Sequence, residues 1–221
     1  MIAFDAATNT TSTNTNTNSF SHTCTGSDRF LIVPCASLNN GTSDAITSVT
    51  YDGVAMTRLG SALQVPSANW IIYLYYLVNP ASGSNTVTVT RNTSNGQTYG
   101  AAASYTGVDQ TTPIDASTNN TGKAQEISTT LSSVTDDAWF FVTAAHLSGN
   151  ISPTTNSTER GGTSFVCTRF DSDFSLTPAG SYNMRQESTG SREWLSIMLA
   201  MKPAAGGGSP VPPALLNLGR L

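Results

Sequence analysis

Trp70-Ile71-Ile72-Tyr73-Leu74-Tyr75-Tyr76-Leu77-Val78 is an unbroken apolar run dominated by β-branched and aromatic residues. It is too short for a typical helix and far short of the roughly 20 apolar residues that span a bilayer. A strand with one wet face would alternate, so the run reads as a central strand covered on both faces. Asn79-Pro80-Ala81-Ser82-Gly83 stops it, and Thr86-Val87-Thr88-Val89-Thr90 then alternates with period two. The pair is a buried strand, a turn and a half-exposed antiparallel neighbour. Arg29–Ser37 is a second buried strand, in which Pro34 requires a bulge or a position without a ladder donor.

Composition points the same way. Charged residues are 11% of the 221, against about 25% in ordinary soluble domains. Thr, Ser, Asn and Gly fill the deficit, and these suit strand faces and turns rather than helix surfaces. Net charge is −4 with 10 Lys and Arg, which lacks the basic footprint of a nucleic-acid binder. No membrane segment is read. Met1–Ala6 has no basic segment followed by an apolar core, so the expectation is synthesis and folding in a cytoplasm.

Outward from the central run, Ile2–Ala6 reads as an edge strand. Thr8–Asn18 is either a solvated loop or an arm lying on a neighbouring subunit. Ser19–Thr25 and Ile46–Tyr51 alternate, Asn39–Thr42 is turn chemistry, and Asp52-Gly53 is a two-residue hairpin signal. Thr98–Val108 puts Tyr99, Ala101, Ala103 and Tyr105 on one face, with small residues where another backbone or sheet comes close. Asp109–Gly122 and Ser148–Gly162 are read as long polar loops, with strands at Glu126–Val134, Trp139–Leu147, Ser164–Phe170 and Ser181–Glu187. Glu193–Lys202 has helical propensity but follows a run of strands, and a strand is expected. Ten or more strands with close turn signals indicate an all-β fold, a two-sheet antiparallel β-sandwich of jelly-roll type, over residues 1–203.

Residues 204–221 differ in character. Ala204–Ser209 is a flexible linker and Pro210–Pro213 a stiffer extended piece. Ala214–Leu221 is too short for an isolated helix and carries four leucines. The expectation is a docking peptide that contacts a partner through Pro212, Pro213, Leu215, Leu216, Leu218 and Leu221.

A catalytic constellation is not found. His22 and His146 are the two histidines, and His146 reads as a hydrogen-bonded residue at a sheet edge. There is no G-x-S-x-G nucleophile turn. Asp136-Asp137 and Asp171-Ser172-Asp173 are carboxylate pairs read mainly as solvated turn caps, the second being the better calcium candidate. Cys24, Cys35 and Cys167 are expected to be reduced and buried. Most Trp and Tyr residues lie within strands and are assigned to the core. No enzyme activity, cofactor or metal is expected.

Val49-Thr50-Tyr51-Asp52-Gly53-Val54-Ala55-Met56-Thr57 is one of four segments that carry a resemblance. The others are Tyr76–Gly83, Ser104–Asp109 and Met198–Pro203. Together they resemble the jelly-roll or concanavalin-A-like sandwich domains of tailed-phage virion proteins and bacterial surface proteins, over about Ile2–Pro203. The resemblance implies a structural role and supplies no catalytic residue. The reading that follows is a non-enzymatic virion protein, a capsid decoration (cement) protein on the virion surface. Its partners would be the major capsid protein or tail components and copies of itself, with a homotrimer expected by analogy. The competing reading is a carbohydrate-binding or adhesive module of a phage tail or cell surface, binding glycans through Asp109–Gly122 and Ser148–Gly162.

Overall fold

The computed structural model describes residues 1–38, 44–64, 70–92, 96–146, 150–163, 166–172 and 174–205. The turn at Asn39–Thr42, the carboxylate of Asp173 and the tail residues Pro212, Pro213, Leu215, Leu216, Leu218 and Leu221 lie outside these. In chain order the strands are β1 (Ala3–Asn9), β2 (Thr17–Cys24), β3 (Phe30–Leu38), β4 (Ile46–Tyr51), β5 (Val54–Ala55), β6 (Thr57–Arg58), β7 (Leu63–Gln64), β8 (Trp70–Val78), β9 (Gly83–Arg91), β10 (Gln97–Thr106), β11 (Ile114–Ser132), β12 (Trp139–His146), β13 (Ile151–Thr155), β14 (Thr158–Thr163), β15 (Val166–Asp171) and β16 (Ser181–Met201). All pairings are antiparallel.

β8 sits beside β3 in a sheet ordered β1-β10-β3-β8-β6, with β7 also on β8. A second sheet is ordered β2-β9-β4-β5. The orders β1-β10-β3-β8 and β2-β9-β4-β5 are those of two facing jelly-roll sheets, so the expected sandwich is present and is complete by Thr106. Leu31, Val33 and Cys35 of β3 and Ile71, Tyr73 and Tyr75 of β8 face Val49, Tyr51, Val87 and Val89 of the second sheet. The opposite faces of β3 and β8 are equally apolar, and a further layer covers them.

That layer is a third sheet, ordered β11-β16-β12-β15-β14 with β13 on β16. Phe30, Ile32, Leu74 and Tyr105 of the roll pack against Trp139, Phe141, Leu195, Ile197 and Leu199. β11 and β16 form a long ribbon whose register breaks where Gln125 stands opposite Ser188, Thr189, Gly190 and Ser191. Such a bulge bends a strand pair, and the ribbon folds back on itself there. Tyr182 stacks on Phe140 with ring centroids 4.8 Å apart. Thr129 and Ser196 hydroxyls meet at 2.6 Å. The fold encloses a third core of Ile127, Phe140, Val142, Phe170, Met184 and Met198.

Several expectations need correction. Asp109–Gly122 is not a long loop, because β11 begins at Ile114 and its polar residues line a half-exposed strand face. Ser148–Gly162 likewise contains β13 and most of β14. Ser181–Glu187 and Glu193–Lys202 are two ends of one strand, β16. Thr8–Asn18 lies on its own chain rather than a neighbour: Thr13 bridges Thr98, and Asn18 Nδ2 donates to Thr11 O and Thr98 O at 3.0 Å. Pro34 takes the second of its two expected forms, a position without a ladder donor, and causes no bulge. Its strand pairs continuously with β8, while the β10 ladder pairs Cys35 and Ile32 in one register on either side of it. Asp52-Gly53 makes the expected hairpin turn, with φ of 51° and 75°.

Candidate functional site

The four segments that carry the family resemblance meet at one rim of the roll. Tyr51 Oη lies within 3.1–3.3 Å of the carbonyls of His22, Ala81 and Gly83. Arg29 Nε donates to Pro80 O at 2.8 Å and Nη2 to Asn79 Oδ1 at 2.9 Å, while Asn79 N donates to Arg29 O. Asp109 N donates to Lys202 O, and Ala204 N to Gly107 O, both at 2.9 Å. These bonds, from side chains and backbone alike, tie turns and strand ends to one another, so the segments are architectural. Gly107, at φ 68°, lies so close to Met1 that a Cβ there would sit 2.1 Å from the Met1 carbonyl oxygen. Met1 and Ala204 therefore converge on one point, and the linker begins from a pinned root.

A second polar group ties the roll to the third sheet. Asp171 ends β15 with its carboxylate turned inward, where Tyr105 Oη donates at 2.9 Å and Arg160 Nε at 2.8 Å. The sequence places Asp171 in a solvated turn; the structure corrects this, because Asp171 is fully buried. Arg160 also lies over the Phe4 ring, 4.2 Å from its centroid. Arg169 is buried beside it and bonds Asn9 Oδ1 and the Arg160 carbonyl. Burial lowers the Arg169 guanidinium to about 10, which leaves it charged at neutral pH. His22 accepts or shares a 2.9 Å bond with Thr8 Oγ1. Burial, with Arg169 adding to it and Asp5 opposing, brings His22 down to about 4. His22 is thus neutral and structural at neutral pH.

Asp136 and Asp137 cap a turn as expected: Asp136 Oδ1 accepts from Ala179 N at 2.7 Å, and Asp137 accepts from Thr177. Cys24, Cys35 and Cys167 are free and buried. Most tyrosines and two of the tryptophans, Trp139 and Trp194, face the cores. Among the described residues no group of His, Cys, Asp and Glu is arranged to hold a metal, and no helix is long and apolar enough to cross a membrane.

The third site lies at the bend of the β11–β16 ribbon. His146, the last residue of β12, is buried, and its Nδ1 is 2.9 Å from Ser188 Oγ. Trp194 pairs with His146 on one side and Gly122 on the other. A Cβ on Gly122 would lie 2.5 Å from the indole, so only glycine admits the ring. Two adjoining cavities, each of about 230 Å³, open beside this group. One is lined by Asn150, Ile151, Ser152, Glu159, Gly162 and Thr168, the other by Gln125, Asn150, Ser152, Glu187, Ser188 and Thr189. Sequence reasoning marked Asn150, Ser152, Glu159 and Gly162 as part of a polar segment. It missed Thr168 and Ser188, which β15 and β16 bring to this place.

No family model matches the chain, and no curated protein matches it. Among solved structures it is similar to a chain of the Sulfolobus turreted icosahedral virus, with 11% identity and a TM-score of 0.29. That match covers 90% of this chain and 59% of the other. It is also similar to the major capsid protein P2 of bacteriophage PM2, with 8% identity and a TM-score of 0.25, covering 95% of this chain and 100% of the other. This chain spans about three-fifths of the length of the first.

Proposed function

We propose that this chain is a structural component of a virus particle, in particular a capsid decoration protein that binds the shell and neighbouring copies of itself as a homotrimer. The observation that carries the reading is the pinned root of the tail. Ala204 is held by Gly107, and Gly107 packs on Met1. From that point a Gly- and Pro-rich leash leads to Pro212, Pro213, Leu215, Leu216, Leu218 and Leu221. A second contact on a leash of fixed origin acts at high local concentration, so it strengthens attachment without a larger primary interface. Apolar side chains in general favour contact with a partner surface over exposure to water. The low charge of the chain limits repulsion between many copies on one lattice. The resemblance to virion and surface sandwich domains supports the same reading.

The test is loading onto particles. Full-length protein and a variant lacking residues 204–221 are expressed in infected cells, and copies per purified particle are counted. Several-fold lower loading of the truncated, folded protein is expected. Equal loading overturns the docking role of the tail, and absence of the full-length chain from particles overturns the virion reading. The cavities at Asn150 and Ser152 favour the adhesive alternative, and the next inference concerns them.

A further inference from the structure

We propose that the two cavities at the bend of the β11–β16 ribbon form one binding site for a neutral, polyhydroxylated ligand, a saccharide unit. The inference does not rest on the particle role. The cavities share Asn150 and Ser152, and together they fall within the range of about 300–1,000 Å³ usual for small-molecule sites. Their position is structural rather than incidental. Gln125, Ser188 and Thr189 belong to the register break that folds the ribbon, and bulges of this kind re-aim side chains beside functional sites.

The chemistry of the walls selects the ligand. Thr168 lines the first cavity, is 1% exposed, and its Oγ1 has no hydrogen-bond partner. On β16, Gln186 lies on the same buried face as Ser188, which lines the second cavity. Gln186 is fully buried, and both its amide oxygen and its amide nitrogen lack partners. Buried polar groups are normally bonded, and each unmet one costs about 1–3 kcal/mol. Thr168 on the first wall offers a hydroxyl, and Gln186, two residues from Ser188 of the second wall, offers an amide N–H group and an amide oxygen. A cation would satisfy only the acceptors, and an anion only the donors. A ligand hydroxyl does both. Glu159 and Glu187 extend the walls with carboxylates that accept from paired hydroxyls, and among the described residues no Lys or Arg lines either cavity, which disfavours phosphates and carboxylates as ligands.

The test uses the full chain and saturation-transfer NMR with glucose, galactose, mannose, N-acetylglucosamine and their β1,4-linked or α1,4-linked disaccharides. Saturable binding of at least one is expected. Thr168→Val and Gln186→Leu each delete an unpartnered buried polar group, so both are expected to fold, as checked by thermal melting. Each is expected to weaken binding about tenfold or more. Ser152→Trp, at an exposed position on the shared wall, is expected to block binding by filling the cavities without touching the core. No binding of any of these sugars at 10 mM, in order of magnitude the weak limit for single-site recognition, overturns the proposal. Binding undiminished in Ser152→Trp overturns it too, as does calcium alone binding with loss in Glu159→Gln.

Discussion

Tyr105 of the jelly roll donates a 2.9 Å hydrogen bond to the buried carboxylate of Asp171 in the third sheet. It is a direct polar link beside aromatic packing, with Trp139 and Phe141 set edge-on to the same ring at 6.2 and 6.4 Å. Burial, with Asp171 adding to it, raises the phenol well above its ordinary range, so it is a donor at neutral pH.

Tyr105→Phe keeps the ring and removes one donor from a buried carboxylate. Loss of a partner to a buried charge costs about 1–3 kcal/mol. Urea unfolding should show that loss. Tyr182→Phe removes a 2.9 Å bond to the Asn156 carbonyl at a less buried place and is expected to cost about 1 kcal/mol or less. A neutral Tyr105→Phe would mean that Asp171 is fully served by its other partners.

Acid stability should depend on His22. Its folded value is about 4, against 6.5 for the free side chain. Below pH 6.5 the unfolded chain takes up a proton that the native state refuses, so stability is full above 6.5 and falls as pH drops toward 4. Each pH unit across that window is worth about 1.4 kcal/mol. Between pH 7 and 4.5 the wild type is expected to lose about 2 kcal/mol more than His22→Gln. Asp5 does not confuse the comparison. Burial pushes its carboxyl upward, but bonds from Thr25 and Ser104 outweigh that and leave it lowered. Its contribution is present above 3.8 and is lost only as pH falls below that. Identical pH profiles of the two proteins would rule out His22 as the source.

Two glycines at positive φ separate strain from crowding. Gly53 has φ 75° with open space around a Cβ, whereas Gly107 has φ 68° and would drive a Cβ into the Met1 carbonyl. Gly53→Ala is expected to cost about 1 kcal/mol, the ordinary penalty of a left-handed alanine. Gly107→Ala should cost clearly more, about 3 kcal/mol, and loosen the anchor of Ala204. Thermal melts of the pair, with hydrogen exchange at the Ala204 amide, measure both effects.

The cysteines should be silent in the folded protein. Burial raises Cys35 well above its usual value and Cys167 to about 12, so neither offers thiolate at neutral pH. Thiol titration is expected to find no rapid reaction in native protein and three equivalents in denaturant, the full cysteine content. Rapid labelling without denaturant would show that one of the cores opens.

β3 and β8 were legible because strands covered on both faces write their burial as an unbroken apolar run. The Asp52-Gly53 turn was legible because only a few residues accept its φ values. The first half of β11 was not, although Glu126–Val134 was read as a strand and forms most of its second half. The Thr, Ser and Asn side chains of that first half form a strand because β16 supplies a ladder, and a ladder to residues more than 60 positions away leaves no local trace. Asp171 was misplaced for a similar reason, since its partners Tyr105 and Arg160 come from other strands. The cavity walls shared this fate: Thr168 and Ser188 join Asn150 on them only through the pairing of distant strands.

The jelly roll is complete once Thr106 has been made, but β16 is the last strand among the described residues and contributes to two cores at once. A ribosome therefore releases a finished roll whose outer apolar face waits for nearly a hundred more residues. Until Met201 emerges, Phe30, Ile32 and Leu74 have no permanent cover. Strands that pair across such sequence distances assemble slowly and leave sticky intermediates. Synthesis rate and chaperone supply, rather than final stability, should govern the yield of this protein in a cell.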